Sequence, residues 1–324
     1  MDNRSSLKSS QLSPSDAAAS SMKEGLAAVL RWLKLAAEPS DEEVENVHQL
    51  RIAIRRATAA MELFENFLPA SCADQLLGKL KKLRKVAGTV RDNDVLAARI
   101  TPDAFGIAVY SLGGQLAERR IAARAKLAAL YEKWERGECL ERLATEALCA
   151  IRPRRKQSQR TGESYQAFAR RRLRLVSRPF VQAMAVTSKH PKRLHEFRLR
   201  VKSLRYRLEL LRGGFPEKCY DKVYQLVKKN SQRLGEINDH AMAETMLDHW
   251  RNDSDQQSTA KLLKRASARE SQSLKNSLVE FSEWWSPRRQ QRLRRRLKSL
   301  VNSPAEPVTI TTKPSALPRI RPAK

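Results

Sequence analysis

The stretch VHQLRIAIRRATAAMELFENFLP at residues 47–69 returns 147 residues later as LHEFRLRVKSLRYRLELLRGGFP at residues 194–216. A duplication of this kind requires one structural solution to serve twice. At that offset His48 meets His195, Arg51 meets Arg198, Arg55 meets Lys202, Glu62 meets Glu209, Leu63 meets Leu210 and Pro69 meets Pro216. On a helix turning about 100° per residue, His48, Arg51 and Arg55 fall in one stripe about 60° wide, while Leu50, Ile54, Ala57, Met61 and Phe64 line the opposite side. The second copy keeps both stripes, with His195, Arg198, Lys202 and Arg205 on the polar side and Phe197, Val201, Leu204, Leu208 and Leu211 on the apolar side. One basic stripe is usually a solvated face. The return of histidine, arginine and a third cation at matched spacing points instead to a shared task.

The repeat reaches beyond these two helices. A helix over about 72–90 carries Leu76, Leu80, Leu83 and Val90 on one side, and we expect it to close at Gly88-Thr-Val-Arg-Asp92. Its counterpart from Lys228 to Asp239 lies at the same offset, pairing Lys81 with Lys228, Gly88 with Gly235 and Asp92 with Asp239. Each glycine and aspartate reads either as helix-end punctuation or, for the aspartates, as a group that orients a cation of the stripe. A helix around 115–136 with Arg119, Arg120 and Arg124 matches Lys264, Arg265 and Arg269 at an offset of 145, as a two-residue loop deletion would produce. Each repeat is then a bundle of about four helices, large enough to close its own core. Scarce glycine and the absence of any sustained two-residue alternation make the whole fold all-α.

The 63 Lys and Arg against 35 Asp and Glu give a net charge of +28. Such a chain wants a polyanion: nucleic acid, an anionic membrane face or a phosphate polymer. Sequence-tolerant single-strand binding ordinarily adds aromatic platforms, and base readout adds a recognition helix. Here aromatics make up only 6% and the stripes interleave none, although adventitious nucleic-acid binding is expected at this charge. Phosphoryl chemistry has no visible machinery: no GxxxxGK[ST], no HExxH and no ExExK, since Val47 follows Glu43 and Glu45 where the lysine should stand. We therefore expect a binding protein with no catalytic residues, metal site or cofactor. Cys72, Cys139, Cys149 and Cys219 lack the spacing of a zinc ribbon. Neither an export leader nor an apolar run of about 18 residues is evident, so a cytoplasmic protein is expected. The chain divides into a Ser-rich disordered tail at 1–20, a first repeat at 21–150, a basic linker at 151–164, a second repeat at 165–300 and a Pro-rich basic tail at 301–324.

The doubled HxxRxxx[RK] helix, the G-T-V-R-D-N-D close of the next helix and its L-G-E-I-N-D partner resemble the CHAD family, the conserved histidine α-helical domain. The resemblance covers about residues 15–300. It implies two four-helix bundles related by a pseudo-twofold axis, their basic faces lining a central groove that binds inorganic polyphosphate, with the protein at polyphosphate granules. Carried over by motif position, the implied binding set is His48, Arg51, Arg55, His195, Arg198, Lys202 and Arg205, joined further out by Lys81, Lys228, Arg119, Arg124, Lys264 and Arg269. The chain departs from the pattern at Thr58, where a third arginine would match Arg205, so the second half is expected to contribute more.

Overall fold

The computed structural model of the chain describes residues 13–99, 109–137, 139–161, 163–185, 191–252 and 257–303. Among them lie ten α-helices and two short 3-10 turns: α1 (Pro14–Ala37), α2 (Glu43–Leu63), the turn Glu65–Phe67, α3 (Ala70–Arg99), α4 (Val109–Arg136), α5 (Cys139–Thr161), α6 (Tyr165–Ala183), α7 (Pro191–Leu211), the turn Arg212–Gly214, α8 (Glu217–Asn252), α9 (Gln257–Trp284) and α10 (Pro287–Val301). The all-α expectation holds. Helices α1–α5 and α6–α10 follow one another in the same order, and α2 and α7 share a length of 21 residues and a following 3-10 turn. Each half thus carries a fifth helix, α5 or α10, beyond the four expected.

Three boundaries differ from those expected. Helix α1 begins at Pro14 rather than near Met22, because the Ser13 hydroxyl accepts the Asp16 amide at 3.2 Å, proline occupies the first turn, and Ala17 and Ala18 are buried. Residues 151–161 belong to α5 rather than to a linker, since a run rich in arginine, lysine and glutamine is a good helix former whatever its charge. Helices α3 and α8 run straight through Gly88 and Gly235 instead of closing there. A helix-interior glycine costs about 1 kcal/mol relative to alanine, and here the burial of Ala87, Val90, Leu234 and Ile237 around the two positions outweighs it. Of the tail expected at 301–324, Val301 still belongs to α10 and is buried, while 304–324, like residues 1–12 of the expected N-terminal tail, lie outside the described residues.

Both apolar stripes read from the sequence are buried, from Leu50 to Phe64 on α2 and from Phe197 to Leu211 on α7. They do not close two separate cores. One apolar cluster runs through both halves, from Ala17 to Val301. At the joint, Phe64 stacks on Phe168 with centroids 5.5 Å apart, and Phe67 meets Phe168 edge-on at 5.9 Å. Buried Arg172 of α6 crosses the same seam to the Glu62 carbonyl at 2.9 Å and to the Glu65 carboxylate at 3.2 Å. A smaller cluster of Leu96, Leu116, Leu247, Trp250, Leu263 and Ala266 ties α3 and α4 to α8 and α9. Among the described residues no helix is long and apolar enough to cross a membrane.

Where the second 3-10 turn approaches α6, a Cβ on Gly214 would overlap the Ala169 side chain. The turn that ends α7 can pack there only as glycine. We expect Gly214→Ala to destabilise the fold by about 1–3 kcal/mol through overpacking. Gly78→Ala, inside α3 with open space around it, should instead stabilise by about 0.5–1 kcal/mol. Urea midpoints of the two variants, moving in opposite directions, check the assignment.

Candidate functional site

Helices α2 and α7 pack side by side, with Glu209 of α7 accepting from Arg56 at 3.2 Å and Glu62 of α2 paired with Arg207. Their apolar faces point into the core, so the basic faces are left opposed across a cleft. A cavity of about 160 Å³ is lined by His48, Arg51 and Arg55 of α2, Arg198 and Lys202 of α7, Arg91 and Asp92 of α3, and Asn238 and Asp239 of α8. A second, wider cavity of about 530 Å³ shares Arg51, Arg55, Asp92, Arg198 and Lys202 and continues to Thr58, Glu62, Arg84, Tyr206 and Arg207. The five shared residues form the neck common to both cavities. Four of the five are cations.

Charge inside this neck is costly, and the local interactions show how it is held. Arg51 donates to the Ala87 carbonyl at 3.3 Å and lies 3.7 Å from the Asp92 carboxylate. Gly88 leaves that guanidinium room, since a Cβ there would come to 3.4 Å of it. Burial raises the Asp92 pKa even beside Arg51, and neighbouring Asp239 adds to the rise. Asp92 sits in the middle of α3, so of the two readings open from sequence the cap is excluded and the orienting role stands. Asp239 acts on Arg198, opposing the fall in pKa that burial imposes on that guanidinium. Lys202 is pushed down to about 7, chiefly by burial, then by Arg198 and Arg55, with Asp239 working in the opposite sense. His48 falls below the usual histidine value through burial and then the field of Arg91.

The structure separates the residues predicted from sequence. His48, Arg51, Arg55, Arg198 and Lys202 come together in the groove. His195 lines a neighbouring apolar pocket of about 130 Å³ with Leu194, Leu234, Ile237, Leu274 and Leu278, sharing Arg198 and Asn238 with the groove. Arg205 lines neither groove cavity; it turns to Glu209 at 3.7 Å and lies over the Tyr206 ring at 4.6 Å. Arg124 is bound to Asp94 and Glu43, each at 3.2 Å, so it braces α4 against α3 and α2. Arg119 packs over Trp250 at 4.3 Å, joining the halves at their other seam. Lys228 lines a shallow depression with Lys222, Lys229 and Arg296, and Lys81, Lys264 and Arg269 are exposed beyond the groove's lining. Arg84, Arg91, Asn238 and Arg207 line the groove without having been singled out. Arg91 and Asn238 lie inside the two aspartate motifs, one residue before Asp92 and Asp239. That adjacency was the available signal. Among the described residues no group of three or more His, Cys, Asp and Glu side chains gathers to hold a metal ion.

The profile of the CHAD domain family matches residues 21–248. The chain belongs to the CHAD family. Two solved structures share its fold: the CHAD domain from the plant Ricinus communis, at 20% identity with a TM-score of 0.65 over 90% of this chain and 93% of that one, and PptA from Streptomyces chartreusis, at 16% identity with a TM-score of 0.60 over 85% and 99%. A search of curated proteins finds no match to the sequence.

A lysine held near pKa 7 has a consequence for stability. The unfolded chain protonates Lys202 from about pH 10.5 downward, whereas the folded chain does so only near 7, so between these values the unfolded state binds more protons and stability falls as pH falls. Below about 7 the penalty is complete and constant. Lys202→Met should therefore stabilise the protein at pH 6 by roughly 1–3 kcal/mol after solvent screening, with a gain that shrinks steadily towards pH 10. Urea unfolding of both proteins across that range measures it.

Proposed function

We propose that this CHAD protein binds inorganic polyphosphate in the groove between α2 and α7, without catalysis, and that this binding places it at polyphosphate granules. The observation that carries the reading is the neck: Arg51, Arg55, Arg198 and Lys202 come from two helices and all four line both cavities of the groove. A polymer made only of phosphates asks for what such a passage supplies, namely guanidinium forks and an ammonium point charge with repeated donors. Among the described residues Tyr206 is the one Phe, Tyr or Trp that lines the two cavities, and it is itself buried under Arg205, so the described lining offers bases no stacking platform. The carboxylates that line the two cavities, Asp92, Asp239 and Glu62, each lie among basic neighbours, with Asp92 near Arg51 and Glu62 paired with Arg207.

One polymer touching both helices makes the halves a single site. Arg51→Glu and Arg198→Glu should each weaken binding of a short polyphosphate at least tenfold, since a charge-assisted contact contributes about 1.5–3 kcal/mol and reversal costs more. Calorimetry should return one site per chain, with affinity falling log-linearly with salt as counterions are released. Two independent sites, a flat salt response or equal competition by duplex DNA of the same charge would each overturn the shared-groove reading. Arg205→Ala should have less than a threefold effect, because Arg205 is turned to Glu209. This reverses the larger contribution expected of the second half from Arg205 alone. Orthophosphate release above background, abolished by a groove substitution, would overturn the non-catalytic assignment.

Proton linkage supplies a further check. A bound polyanion favours the charged forms of Lys202 and His48, so the complex takes up protons. Affinity should be flat for Lys202 below about pH 7 and fall above it, with an additional rise from His48 as pH falls towards its lowered pKa. The same titration in buffers of different ionisation heat counts the protons directly.

A further inference from the structure

We propose that Lys202 is a modification site: acyl phosphates captured in the groove acylate its Nζ. The proposal rests on the reading of the groove as a phosphate site. Lys202 lines both cavities and is only partly buried, so its side chain borders the space a small reagent would enter. Arg198 lies one helical turn earlier on the same face of α7, and Arg55 lines the same neck from α2. An acyl phosphate carries one phosphate and one activated carbonyl. We place the phosphate on the two guanidiniums, as a unit of the polymer would sit, which brings the carbonyl into the cavity that Lys202 lines.

The step is an acyl transfer. The Nζ lone pair forms a bond to the carbonyl carbon, the bond from that carbon to the bridging oxygen breaks, and orthophosphate leaves with the electron pair. The nitrogen gives up one proton to the departing phosphate, leaving an amide and inorganic phosphate. Arg198 and Arg55 hold the leaving group while its charge grows. The amine must be neutral to attack, and its surroundings meet that need. His48, Arg51 and Arg55 share its cavities from α2, Arg198, Arg205 and Arg207 lie on its own helix, and Arg84 and Arg91 come from α3, against the carboxylates of Asp92, Asp239 and Glu62. With its pKa near 7, Lys202 is about half free base at pH 7, whereas an ordinary lysine at 10.5 is free in roughly one molecule in three thousand. The amide would remove a cation from the neck and obstruct it, so acylation and polyanion binding exclude one another. A bound polyphosphate would protect Nζ by covering it.

The test treats the full chain with acetyl phosphate at pH 7 and follows each lysine by peptide mass spectrometry. We expect acetylation of Lys202 at least tenfold faster than of exposed Lys81 and Lys264, slowed at least tenfold by polyphosphate and also by inorganic phosphate, with the two exposed lysines unaffected. Acetic anhydride, which has no phosphate, serves as the second arm; its reaction at Lys202 should resist competition by inorganic phosphate. Equal rates at all three lysines overturn the proposal. Equal selectivity and equal phosphate response with both reagents would leave a nucleophilic amine and overturn the capture step. Calorimetry with polyphosphate separates the two readings: selective acylation without polymer binding sinks the proposed function and sustains the modification site, while polymer binding without selective acylation does the reverse.

Discussion

The structure depends on holding two like-charged helix faces against each other. Arg51 and Arg55 on α2 face Arg198 and Lys202 on α7 in a partly buried cleft, where cations repel more strongly than they do in water. Nothing on those faces favours the approach. The force that brings them together acts from behind: Leu50, Ile54 and Met61 on one helix and Phe197, Val201 and Leu208 on the other are all buried in a single cluster. Burying such a side chain contributes about 1.5–3 kcal/mol, enough in sum to offset the repulsion and the desolvation of the basic groups. The crossed pairs Arg56 with Glu209 and Arg207 with Glu62 then set the register of the two helices. The unspent strain appears in the groups themselves, as a lysine and a histidine with lowered pKa values. A polyanion bound in the cleft, as proposed for this groove, would relieve it.

The duplication does not yield two equal contributions. His48 lines the groove, whereas His195 is exposed beside an apolar pocket behind Arg198. Arg205 is diverted to Glu209 Oε1, which also accepts from the Tyr224 hydroxyl at 2.9 Å, and Thr58 at the matching position of α2 lines the wider cavity. Thr58 also returns its hydroxyl to the Ile54 carbonyl at 2.8 Å, so it offers the groove little polarity. The two halves therefore share a scaffold and differ in what they present. Matching Asp92 and Asp239 are the carboxylates that stay in the groove in both, each acting as counter-ion to the arginine of its own half.

Much of this was legible in the sequence because helix periodicity assigns faces. Once His48, Arg51 and Arg55 fall on one stripe and Leu50, Ile54 and Met61 on the other, burial of the second stripe forces exposure of the first. The peripheral cations were misread for the complementary reason. Arg124 lies on a basic run and looks like a groove residue, yet its partners Asp94 and Glu43 come from two other helices and no local pattern reveals them. Gly88 and Gly235 look like stops by local chemistry, but the apolar contacts that carry α3 and α8 through them are supplied by neighbouring helices. Local preference was overridden wherever tertiary burial exceeded about 1 kcal/mol.

By itself the sequence determined the helical class, the core and basic faces of α2 and α7, and the repetition of that design, because all three follow from spacing along one helix. Only the tertiary structure decided that the two basic faces meet, that one continuous core joins the halves, and that Lys202 sits where its charge is hard to keep. Those properties depend on which surfaces lie across from each other, and the field at an atom sums over helices far apart in the chain. A stripe of cations can be read one residue after another, but the cost of each charge is set by what faces it.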